Sequence, residues 1–191
     1  MVWATLMISD PGFFCGCNTD YFNSWGKVVG LSARVYAPWA VVHYHVFDGT
    51  DIDREWCKSN GFSYSQEDTP DNYNQNLDQR RAYWSNMRWV RATETFNITT
   101  PVISIDADSI IVKELSKQQF LDDLSQSWVP TAPKREQLSL ASAVGYGPDN
   151  ARTIYADRMQ HILNTSRLSW ADDQKLLRSE EHTSELQSRE T

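Results

Sequence analysis

No run of about 18 consecutive apolar residues occurs in this 191-residue chain, so the sequence offers no helix that could cross a membrane. Cysteine is scarce. Two of the three, Cys15 and Cys17, stand two positions apart, which suits no disulfide framework. A Cys-x-Cys pair can open a metal site, but no second pair follows it. Positive charge is also short: 18 Lys and Arg face 25 Asp and Glu, for a formal charge of −7. That balance argues against a nucleic-acid partner, which is met by a basic face. Residues Met1 to Asp10 lack a basic opening and a cleavage site, so no signal peptide is expected. The sequons at Asn97 and Asn164 then carry no glycan, and the protein is expected to be cytoplasmic. Internal repeats and low-complexity segments are missing too.

What is present is ordinary globular composition, 40% apolar and 23% charged, in a length that can bury one sizeable core. Eight Trp and eight Tyr are many for such a chain. They suit either a thick core or a sugar-facing cleft, and composition does not choose between these.

The end of the chain reads differently from the rest. Arg178-Ser-Glu-Glu-His-Thr-Ser-Glu-Leu-Gln-Ser188 resembles a common sequencing adapter translated in frame. It follows Asp172-Asp-Gln-Lys-Leu-Leu177, which looks like the start of an amphipathic helix, and within it Leu186 is the single apolar residue. The expectation is a domain over residues 1–177, truncated at its C-terminus, with 178–191 an artefactual or disordered tail.

Along the domain, apolar runs of strand type alternate with helical periodicity. Val2–Ile8 predicts a buried strand closed by the turn residues Ser9-Asp10-Pro11-Gly12. A helix is expected from Thr19 or Asp20 to Val35, ending before Pro38. Trp39–Phe47 predicts the second strand. Thr50 caps a helix over Asp51–Ser59, with Gly61 beyond its end. Phe62–Gln66 is a weak third strand, and a loop over Glu67–Asn76 leads to a long helix at Leu77–Phe96. Val102–Ile105 is a strong strand and Leu115–Leu124 a helix. Leu138–Tyr146 reads as a strand, and Pro148–Leu163 as a helix with Pro148 in its first turn. Such alternation implies right-handed βαβ units: an α/β fold with a mainly parallel, Rossmann-like sheet flanked by helices.

In a sheet of this kind ligands sit beyond the carboxyl ends of the strands. Asp106 and Asp108 stand there, between Val102–Ile105 and the apolar Ile110-Ile-Val112. Two carboxylates so placed need compensation, because burying an unpaired charge is costly. A Mg²⁺ or Mn²⁺ ion, which takes one or two carboxylates and fills its shell with water and phosphate, would provide it. On extended backbone the i, i+2 spacing points both side chains one way. The same spacing at Asp51-Ile52-Asp53 reads instead as helix capping, since acids favour a helix N-terminus.

At these residues the chain resembles the GT-A glycosyltransferases, especially the group of glycogenin and the bacterial galactosyltransferases. Three segments over residues 2–177 carry the likeness: the opening strand ending in Ser9-Asp10; Asn86-Met-Arg-Trp with Pro101-Val-Ile-Ser-Ile-Asp-Ala-Asp-Ser-Ile-Ile-Val112; and Trp170-Ala-Asp-Asp-Gln-Lys-Leu-Leu177. The resemblance implies a nucleotide-diphospho-sugar transferase fold. It also implies metal-dependent transfer of a sugar, UDP-linked for preference, to a hydroxyl of a glycan, lipid or protein. Asp106 and Asp108 would bind Mn²⁺ or Mg²⁺, and Asp106 the donor as well. Ser9 and Asp10 would line the nucleotide, Arg88 would reach the diphosphate or sugar, and Asp173 and Gln174 would lie beside the transferred sugar as catalytic residues. The group usually adds a late histidine to the metal. His43 and His45 alternate on a strand and read as structural, His161 sits in a helix and His182 in the tail, so that ligand is unassigned.

Two other functions fit the same features. A sugar-phosphate nucleotidyltransferase uses similar acids and metal but carries a Gly-rich basic loop after its first strand. Pro11-Gly-Phe-Phe-Cys-Gly-Cys17, read as that loop, has glycines but no Lys or Arg. A non-catalytic nucleotide- or carbohydrate-binding module would bind without needing Asp106 or metal.

Overall fold

The computed structural model describes residues 7–126, 143–147 and 151–165. Residues 2–6 of the expected opening strand, 138–142 of the expected last strand, the 172–177 helix start, Asp173, Gln174 and the tail lie outside the described residues.

The central strand is one the sequence hid. β1 is Gly12–Asn18, the segment expected to be a loop, while Ile8 makes only an isolated bridge to Phe96. Pro11 and Gly12 look like turn residues, and β1 shows no polar alternation. The missing alternation follows from burial, since a parallel strand covered on both faces reads as a continuous apolar run. Phe14 faces one core with Met87, Trp89 and Val102, whereas Phe13, Cys15 and Cys17 face the other with Phe22, Val29 and Phe120. Gly12 is seated against the neighbouring strand, where a Cβ would fall 1.9 Å from the Val41 carbonyl oxygen.

From β1 the chain passes into one helical stretch: α1 (Thr19–Tyr21), a π-helical turn (Phe22–Gly26) and α2 (Lys27–Tyr36). Then come β2 (Val41–Phe47), α3 (Asp51–Ser59) and β3 (Ser63–Glu67). A 3₁₀ turn at Asp71–Tyr73 precedes α4 (Leu77–Thr95), β4 (Val102–Ile105) and α5 (Lys117–Asp123). β5 (Ala143–Tyr146) and α6 (Ala151–Thr165) complete the described elements. The five strands are ordered β3-β2-β1-β4-β5, parallel except for β5, which runs antiparallel beside β4. The expected α/β, mainly parallel architecture is the one observed. α2, α3 and α5 cover one face of the sheet, and α4 and α6 the other. No described helix is long and apolar enough to cross a membrane.

Two local devices fix this arrangement. The first is Asp53, fully buried at the start of α3. It closes a capping box with Thr50 and also accepts hydrogen bonds from Thr19 Oγ1 (2.5 Å) and Asn23 Nδ2 (2.9 Å). Helix capping is therefore its role, as the sequence indicates, and it also ties α3 to the helical stretch after β1. Burial raises the Asp53 pKa, but the bonds from Thr19, Thr50 and Asn23 outweigh it and hold the carboxyl below the usual range. The second device is Gly16, where α4 crosses β1. A Cβ there would lie 2.5 Å from Arg88 Cβ and 3.3 Å from its Cα. An isolated glycine inside a strand marks such a close approach of another backbone.

Two expectations fail after β4. Asp106 and Asp108 are not on extended backbone: Ser109 N donates to the Asp106 carbonyl at 3.0 Å, closing a turn. Nor are Ile110-Ile-Val112 a buried run. Ile110 and Val112 are 58% and 71% exposed, and only Ile111 packs on the core as the chain runs beside α2. His43 and His45 are structural as expected, buried and hydrogen-bonded to Ser63 and Ser65. Burial, with His45 adjacent, lowers the His43 pKa to about 3, so the ring is neutral.

Asp53→Ala should cost about 2–4 kcal/mol, the sum of a lost cap and unpaired buried donors, read by urea unfolding at pH 7. Because the folded-state pKa is depressed, that stability is present above pH ~4 and lost as pH falls through the folded value. The gap between the two proteins should narrow in acid. A constant gap would contradict the role given to the carboxylate. Gly16→Ala should cost about 1–3 kcal/mol by overpacking α4 on β1, and unchanged stability would contradict the close approach.

Candidate active site at the sheet switch point

The strand order defines one crevice. From β1 the chain builds outward through β2 to β3, then returns to the other side of β1 to lay down β4. Adjacent parallel strands whose connections leave in opposite directions leave room between their carboxyl ends, where ligands of open α/β sheets bind. The carboxyl end of β1 leads into Thr19-Asp20-Tyr21, and that of β4 into Asp106-Ala107-Asp108.

These ends meet. The Tyr21 hydroxyl donates to Asp108 Oδ2 at 3.3 Å. The Tyr21 pKa is raised, first by burial and then by Asp108 and Asp106, so both carboxylates act on the same hydroxyl. Ala107 between them is buried against the side of the sheet that holds Phe22. The turn buries this middle residue and leaves Asp106 partly exposed and Asp108 exposed.

Arg88 reaches the site from α4. Its guanidinium pairs with Asp106 and lies 4.6 Å from the centroid of the Trp89 ring. The side chains of Arg88 and Asp106 are 13% and 25% exposed, largely shielded from water, where such a pair is worth more than on an open surface. Gly16 permits this position by letting α4 sit close against β1. Sequence reasoning passed over Gly16 although a glycine amid β-formers was a usable signal. It had no signal for Tyr21, which is 87 residues away from Asp108 in the chain.

Other expected site residues are not brought here. Ser9 and Asp10 precede β1 and therefore lie at the amino end of the sheet, where Ser9 Oγ accepts a 2.6 Å hydrogen bond from Asn97 Nδ2. Their assignment rested on an opening strand over Val2–Ile8, of which residues 2–6 lie outside the described residues; the described strand β1 begins after them. Cys15, Cys17 and Cys57 are buried free thiols, with Cys57 pushed up to about 12 by burial and the charge of Asp53. They are core residues rather than ligands.

Asp106 and Asp108 suit a divalent cation that keeps most of its shell for water and phosphate. Among the described residues no three His, Cys, Asp or Glu side chains gather as a metal-binding group. Asp106 and Asp108 are the described carboxylates at this strand end that could hold such an ion. Among the described residues, the crevice offers two carboxylates, one guanidinium and one phenol.

No protein-family model matches this sequence, and neither does any curated protein. Solved structures do match. A cytidylyltransferase from Leptospira borgpetersenii serovar Hardjo-bovis superposes with a TM-score of 0.51 at 12% identity, over 93% of this chain and 74% of that one. At that identity the likeness is one of fold: a Rossmann-like sheet shared with a nucleotide-handling transferase.

Proposed function

We propose that the chain binds a nucleoside diphosphate sugar with a divalent cation at Asp106 and Asp108 and transfers the sugar to a hydroxyl acceptor. The observation that carries this reading is the convergence of Asp106, Asp108, Tyr21 and Arg88 at the β1/β4 switch point. A cation held by the two carboxylates supplies charge neutralisation to a diphosphate. Breaking the sugar–phosphate bond leaves negative charge on the departing diphosphate. Arg88, fixed on a rigid helix, stands where it can meet that charge without reorganising, the kind of electrostatic contribution that often dominates catalysis. Tyr21 holds the Asp108 carboxylate in place.

Nucleotidyl transfer is the second reading, favoured by the cytidylyltransferase that shares the fold. It requires handling of a more highly charged triphosphate. The segment that follows β1 is Thr19–Gly26, which contains no Lys or Arg. The next cation, Lys27, is engaged by Asn23 Oδ1 at 2.7 Å and by the rings of Phe22 and Trp56. Among the described residues, the segment after β1 thus lacks the positive charge that a triphosphate needs.

Calorimetric titration with UDP and with CTP, each with and without Mn²⁺, separates these readings. UDP should bind only with metal, and Asp106→Asn/Asp108→Asn should weaken it about tenfold or more, roughly 1.4 kcal/mol, without loss of fold by circular dichroism. Tighter binding of CTP than of UDP would favour nucleotidyl transfer. Binding that ignores both metal and the double substitution would leave only a non-catalytic binding module.

A further inference from the structure

A second cleft, of about 290 Å³, opens between α4, α6 and the 3₁₀ turn, and it shares no lining residue with the acid pair. Tyr73 forms one wall. Its ring lies 5.1 Å from that of Tyr83, tilted by 32°, and its hydroxyl reaches the Leu163 carbonyl at 3.4 Å. Tyr83 is fixed in turn by donating to Glu67 Oε1 at 3.2 Å. The ring of Tyr73 is therefore anchored at its hydroxyl and backed by a buried neighbour, so binding a ligand on it would cost little ordering.

Among the described lining residues, the charge is already balanced from within. Arg91 donates to Glu67 through Nε at 2.7 Å and to Glu94 through Nη1 at 2.6 Å. One cation facing two carboxylates gives no net attraction for an anion. The remaining polar lining is amide: Asn72, Gln160 and Asn164. A primary amide offers two donors and an acceptor with two lone pairs, and the 3.3 Å Gln160–Asn164 bond uses one of each. Uncharged donors and acceptors beside an aromatic wall suit a ligand with apolar C–H faces and many hydroxyls. They do not suit a phosphate, which calls for Arg or Lys not already paired. The volume lies at the small end of ligand clefts.

We propose that this cleft binds a short neutral saccharide, with Tyr73 stacking on the sugar and Gln160 and Asn164 hydrogen-bonding its hydroxyls. The site is independent of the acid pair and does not depend on the sugar-transfer reading.

Saturation-transfer NMR on the full chain tests it with maltose, cellobiose, lactose and N,N′-diacetylchitobiose as neutral probes and glucuronic acid and UMP as charged ones. At least one neutral disaccharide should bind. Its affinity should fall about fivefold in Gln160→Ala, the loss of one hydrogen bond, and further in Tyr73→Ala. Gln160 is exposed, so that variant reports on binding even if Tyr73→Ala unfolds. The Asp106→Asn/Asp108→Asn protein should bind the disaccharide unchanged. The proposal is overturned if none of the four binds, if glucuronic acid binds as well as they do, or if Gln160→Ala has no effect. Loss of binding in the acid-pair variant would also overturn it, by placing the sugar at the switch point.

Discussion

The seat of α4 on β1 at Gly16 is the contact on which the candidate site depends. Without a side chain at that position the two backbones approach until Arg88 Cβ occupies the space a Cβ would need. From there the guanidinium reaches Asp106 across the carboxyl end of β4. A carboxylate left largely shielded and unpaired at a strand end would destabilise the fold, and Arg88 compensates it. Asp108, exposed beside this pair, meets the Tyr21 hydroxyl from the other side of the crevice.

The opposite edge of the same crevice is built by β1 itself. The helical stretch after it places Tyr21 against Asp108, and Asp53 braces that stretch from α3 through Thr19 and Asn23. The site therefore draws on three separate βα connections. Each is held by a different interaction: a turn at Asp106–Ser109, a capping box at Thr50, and a close packing at Gly16. Loosening any one should be felt at the acids before it is felt in the sheet, because the sheet is covered on both faces by cores that do not include them.

Much of this was legible in the sequence wherever a signal is local. Thr50 and Asp53 announce a capped helix, Gly61 its stop with φ of 70°, and the periodicity of Leu77–Phe96 the long helix, ending one residue earlier at Thr95. Asp106 and Asp108 stood out because they follow a strand without helical spacing. What misled was chemistry with two meanings. Pro11, Gly12 and Gly16 are turn-formers in isolation, yet in β1 they serve an N-terminal start and two close approaches. The expected nucleotide contacts Ser9 and Asp10 precede this strand and lie at its amino end. Ile110 and Val112 look like core by composition but are exposed, since only alternate positions of that segment face α2. Contacts such as Tyr21–Asp108 belong to the topology, and no local pattern encodes them.

The location of the site is the central claim, and paramagnetic NMR reads it directly. In ¹⁵N-labelled protein with UDP, substoichiometric Mn²⁺ should broaden the amides of Tyr21, Ala107, Asp108 and Ser109 while leaving Ser9 and Asp10 sharp. Broadening centred on Ser9 and Asp10, or spread evenly over the acidic surface, would contradict a cation site at the β1/β4 switch point.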